Sequence, residues 1–106
     1  MLFRSEAVEI RRKLAADRPA AFNPDLANSL NDLSLILSDL GHREDALTAI
    51  REAVELYRKL AADRPAVFNL DLAGSLKNLS DCLSDLGCRE DAEKVAQEAV
   101  VARTCT

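Results

Sequence analysis

The chain has 106 residues, 48% of them hydrophobic and 30% charged, with three glycines and three prolines. That balance suits amphipathic helices around a single core and excludes a disordered polar chain. A formal net charge of −4, with basic residues interleaved among acidic ones, excludes the basic stripe of a nucleic-acid binder.

In chain order, MLFRSEAVEIRRKLAAD enters a helical pattern at once, so a first helix is expected from about Leu2 to Ala16. It lacks the apolar core of a signal peptide, and no later run approaches the ~18 apolar residues of a membrane span, so the expected compartment is the cytoplasm, with no membrane partner. The run Arg11-Arg12-Lys13 reads as the wet side of this helix.

From Leu14 onward the chain repeats itself. LAADRPAAFNPDLANSL at Leu14 returns as LAADRPAVFNLDLAGSL at Leu60, and LSDLGHREDA at Leu37 returns as LSDLGCREDA at Leu83, each time 46 positions on. A fixed period of this size marks a supersecondary unit stacked on itself, because one unit alone cannot bury its own apolar face.

Within a unit, Asn23 is a good N-cap, and Pro24 stands where a first helical residue needs no N–H, so a helix A is expected to start there. Its apolar stripe is Leu26, Leu30, Leu33, Leu37 and Leu40, with Ala27 and Ile36 filling in. Gly41 closes it by accepting the left-handed conformation. Arg43-Glu44-Asp45 then opens a helix B, with two acids where the helix dipole favours them. The B stripe is Ala46, Ile50, Ala53, Val54, Tyr57, Leu60 and Ala61, and the helix runs ~30 Å to Ala62 before Pro65 forbids continuation through Arg64. The short A–B turn makes each unit an antiparallel hairpin. A second hairpin follows over 69–103, giving an all-α chain of five helices in the order B-A-B-A-B with no strand. One domain over 1–106 is expected, divided into a lone B helix and connector (1–22), a first repeat (23–68) and a second (69–106).

The series Leu30, Leu33, Ser34, Leu37, Gly41, Ala46, Ile50, Ala53, recurring as Leu76, Leu79, Ser80, Leu83, Gly87, Ala92, Ala96, Ala99, resembles a tetratricopeptide repeat across essentially the whole chain. The resemblance implies a right-handed solenoid and a non-enzymatic protein-binding scaffold with no cofactor. Small residues at Ser34, Ala46 and Ala53 would let the helices approach closely. The usual repeat is about 34 residues. The longer period here resembles kinesin-light-chain-like and signalling-ATPase arrays and suggests a longer B-to-A connector, LAADRPAVFN. HEAT-like or armadillo-like pairs would fit the period, but the Gly41 and Ala46 spacing argues against them.

In arrays of this family helix A lines the concave surface. Carried onto this chain, its groove positions are Asn28, Asn31, Asp32, Leu35, Ser38 and Asp39, then Gly74, Lys77, Asn78, Asp81, Ser84 and Asp85. Five such positions, Asn28/Gly74, Asn31/Lys77, Asp32/Asn78, Leu35/Asp81 and neighbouring Ile36/Cys82, differ between the copies while the core repeats, which fits either a binding groove or a drifting wet face. A carboxylate-binding clamp is disfavoured, because Lys77 is expected to pair with Asp81 one turn on. With Asp32, Asp39, Asp81 and Asp85 against one lysine, the groove should prefer a neutral or basic peptide or helix of a partner protein.

Catalysis and metal binding have little to stand on. His42 and Cys88 occupy equivalent turn positions, about 10 Å apart at helix-packing distance, too far for a dyad. The three cysteines, Cys82, Cys88 and Cys105, include no CxxC and read as ordinary thiols. The chain opens within a unit and has fewer than three copies, as a piece of a longer array would. Unpartnered end stripes at Val8, Leu14, Ala99 and Val100 suggest a weak homo-oligomer, and stacking itself is the alternative function. Arg4, Arg11 and Arg103, standing where the interior has Ile50 and Tyr57, read as partial caps against it.

Overall fold

The computed structural model describes residues 8–13 and 19–104, and the side chains of 8–13 and 23–104. Among them are five helical segments and no strand: α1 over 8–13, α2 over Pro19–Asp39, α3 over Arg43–Asp63, α4 over Pro65–Asp85 and α5 over Arg89–Thr104. The rest of the expected first helix, Leu14 included, and Cys105 near the other end lie outside the described residues.

The A–B turns form as their glycines require. Gly41 has φ +83°, and two hydrogen bonds close α2 around it, Gly41 N to Ser38 O at 3.0 Å and His42 N to Leu37 O at 2.8 Å. Gly87 (φ +84°) does the same for α4, with Gly87 N to Ser84 O and Cys88 N to Leu83 O at the same lengths. These are the paired bonds that satisfy the last carbonyls of a helix ending in a left-handed residue. Leu40 falls just past Asp39, the last helical residue, so the turn carries it away from the stripe on which it was expected; it is 54% exposed.

The A helices begin five residues earlier than their sequence suggests. The starts are Pro19 and Pro65, and neither Asn23 nor Asn69 is an N-cap. Asn69 is instead buried in the interior of α4. Proline explains the shift, since Pro65 takes the first helical position, where its missing N–H costs nothing. Pro24 sits inside α2, where it has no N–H to give to the Ala20 carbonyl.

The expected long connector is therefore a single residue. The Arg64 N–H donates to Leu60 O at 2.8 Å to finish α3, and its carbonyl accepts from Phe68 N at 3.1 Å to begin α4. Two helices of 21 residues, residues 86–88 and Arg64 account for the whole 46-residue period. The extra length over a short repeat has gone into helix.

The helices pack in two layers, α1, α3 and α5 in one and α2 and α4 in the other. Each of α2 to α5 lies against its chain neighbours, while α2 and α4 touch lightly across their layer. The slab measures 37 × 33 × 15 Å. Leu30, Ile50, Leu76 and Val54 are shut from solvent at its centre. Ser34, Ala46 and Ala53 are buried at the close approaches expected of small residues, and the Ser80 hydroxyl donates to the Ala92 carbonyl at 2.8 Å, tying α4 to α5. The expected B stripe is buried with Ala49 added, Leu60 remaining half-buried.

Candidate protein-binding face

The expected groove residues all lie on α2 and α4, the two helices of one layer. Asn28, Asp39, Lys77, Asp81, Ser84 and Asp85 are exposed; Asn31, Asp32, Ser38 and Asn78 are half-buried. Leu35 is 45% exposed, an aliphatic side chain in a polar neighbourhood.

Asn31 and Asn78 meet at the seam between the two helices. Asn31 Oδ1 accepts from Asn78 Nδ2 at 2.9 Å and from Ser75 Oγ at 3.1 Å. This polar contact links α2 to α4 across the layer. It fixes the orientation of the Asn31 amide and leaves Asn31 Nδ2 and Asn78 Oδ1 without a protein partner among the described residues. Ser75 was not foreseen here; its signal was the small residue recurring at Ser29 and Ser75, which reads as packing until the second helix is placed.

The expected pairing of Lys77 with Asp81 does not form; no ion pair joins them. A cation placed N-terminal to its acid on a helix is the weaker orientation, and an exposed pair gains only about 0.3–0.5 kcal/mol to offset the loss of side-chain freedom. Lys77 therefore extends into solvent.

Beneath this face stands Tyr57 of α3, 5% exposed. Burial, then the carboxylates of Asp71 and Asp32, push its phenol up from 10.0 to about 12. Asp71 is a second residue missed in sequence, because an A helix starting at Asn69 would have put it in the first turn, away from the groove. Cys82, also in α4, has its thiol pushed up, mainly by burial and further by Asp85 and Asp81. The neighbouring Ser34 hydroxyl, which makes no hydrogen bond of good geometry, acts weakly in the opposite direction. Cys82 and Cys88 are free thiols, buried and exposed respectively, and His42 is exposed in its turn.

Two helical hairpins in layers, closed by glycines at Gly41 and Gly87, with small residues at the close approaches, define the repeat type, and the sequence model of the tetratricopeptide repeat family matches residues 26–64. That stretch, α2 with α3, has the form of a tetratricopeptide repeat. The matched residues run from α2 through α3, and the second hairpin repeats much of them, with Gly87, Ala92 and Ala99 at the places of Gly41, Ala46 and Ala53. Tetratricopeptide domains are, as a family, protein–protein interaction modules and scaffolds. No curated protein matches this chain. No described helix is long and apolar enough to cross a membrane.

Of the four residues expected on sticky ends, the tetratricopeptide hairpins take two for themselves. Val8 and Ala99 are buried in the core, since the outer B helices still turn their stripes onto α2 and α4. Leu14 is outside the described residues, and Val100 alone stands free, 59% exposed.

Proposed function

We propose that residues 1–106 form one domain that acts as a non-catalytic interaction module, whose α2–α4 face holds a peptide or helix of a partner protein. The observation that carries this reading is the seam at Asn31 and Asn78. It offers one amide donor and one amide acceptor side by side, the pair that a peptide backbone needs, and it is held in place by the Ser75 hydroxyl. Asp32, Asp39, Asp71, Asp81 and Asp85 lie along the same two helices against Lys77 alone, so a neutral or basic segment is favoured. A cytoplasmic site of action fits the free thiols of Cys82 and Cys88.

The test is capture of a partner from lysate by the wild type and by Asn31→Ala and Lys77→Ala, each checked for an unchanged helical circular dichroism signal. Loss of at least tenfold in captured partner with Asn31→Ala is expected. Unchanged capture by both variants would remove the face from consideration. Self-stacking is the weaker alternative: Val8 and Ala99 lie in the core, and among the described residues expected to drive it only Val100 is exposed.

A further inference from the structure

The hairpins α2–α3 and α4–α5 carry the same groove on equivalent sides, and within the chain only the first is filled. There α4 lies along α3 and touches α2, with Cys82 beside Ser34. Ile50 is fully buried, whereas Ala96 at the equivalent position of α5 is exposed. The second groove, between α4 and α5, is open, about 480 Å3 in volume, and is lined by residues that include Asp81, Ser84, Glu93 and Ala96, with Arg89, among the described residues, the one cation against the two carboxylates.

We propose that this groove seats an amphipathic helix of a partner protein whose inserted face is basic, lying on α4–α5 as α4 lies on α2–α3. The internal repeat supplies the geometry, since the same backbone already accepts a helix one unit earlier. The differences between the copies supply the chemistry. Leu47, packed against the core, becomes the exposed Glu93, and Leu35 becomes Asp81. A helix like α4 would press apolar side chains onto the Glu93 carboxylate there, which costs its desolvation without return, while Asp81, like its exposed equivalent Leu35, stays at the margin. The change from Ile50 to Ala96 also opens room for a long side chain. A lysine or arginine can lay its methylenes over Ala96 and set its charge at Glu93 or Asp81. Val100, buried at its equivalent Val54, remains as an apolar anchor farther along α5. A second copy of this chain is a poor occupant, because its net charge is −4 and the inner faces of its own α2 and α4 are already buried.

The experiment uses the full chain and two labelled peptides copied from residues 65–85, one unchanged and one carrying Cys82→Lys and Asp85→Lys, with binding read by fluorescence anisotropy. The lysine peptide is expected to bind at least tenfold more tightly, to lose at least tenfold on Glu93→Lys in the protein, and to be unaffected by Asn31→Ala at the α2–α4 seam. Circular dichroism confirms that Glu93→Lys stays folded, as an exposed position should. The proposal is overturned if the two peptides bind alike, if the lysine peptide does not bind, or if Asn31→Ala and not Glu93→Lys abolishes binding. It is also overturned if light scattering shows the free chain dimerising at the assay concentration through Glu93, since the occupant is then a second copy.

Discussion

Glycine does opposite work at two places in this chain. At Gly41 the backbone is left-handed, with nothing within 4 Å of where a Cβ would stand, so only conformational strain opposes a side chain. At Gly74, in the middle of α4, the space is equally open and φ is ordinary for a helix. Gly41→Ala should therefore destabilise by about 1–2 kcal/mol, while Gly74→Ala should stabilise by about 0.5–1 kcal/mol. Urea titrations of the two variants check the signs; a stabilised Gly41→Ala would contradict the turn. The turn glycine was legible in sequence because its signal is local. The meeting of Asn31 with Ser75 and Asn78 was not, because those residues are 44 and 47 positions apart and only the placement of α4 on α2 joins them.

Between elements, the B layer is clipped at matching places. Arg12 Nη1 of α1 donates to Glu52 of α3 at 2.6 Å, and Arg58 of α3 donates through Nε and Nη2 to Glu98 of α5 at 3.0 and 2.8 Å. Both partners shift by one 46-residue period, so the same ion pair recurs at each repeat junction. All four side chains are substantially exposed, which screens the attraction. A double-mutant cycle on Arg58→Ala and Glu98→Ala should give a coupling of roughly 0.5–1 kcal/mol that shrinks in high salt. A salt-independent value of several kcal/mol would mean that the pair is more buried than described. The run Arg11-Arg12-Lys13, read in sequence as a wet face, thus contains one side of a repeat contact. Helix ends show the same limit of local reading: Asn23-Pro24 looks like a helix start, yet Pro19 had the prior claim and the helix tolerated the second proline.

At the scale of the molecule, Tyr57 links three helices, since its phenol in α3 feels Asp71 of α4 and Asp32 of α2. Its folded pKa of about 12 lies above the ordinary 10.0, so the folded chain holds this proton more tightly than the unfolded one. The contribution is complete below pH 10, where both states are protonated, and is lost as pH rises through about 12. Over that window stability should fall by up to about 1.4 kcal/mol per pH unit relative to Tyr57→Phe. Denaturant midpoints for the two proteins across the alkaline range, with tyrosinate absorbance from this one tyrosine, test it. Parallel curves would place the phenol in water.

The sequence by itself determined the all-α class, the glycine turns and the buried stripes, because each is set by residues within a turn or two of one another, and it determined the 46-residue unit because the chain repeats its own residues at that offset. Only the tertiary structure decided where the A helices begin, that the connector shrinks to Arg64, which polar side chains meet across repeats, and that the second hairpin's groove stands open. Those depend on how one helix lies on another, and the period of a sequence carries the spacing of helices but not their contacts.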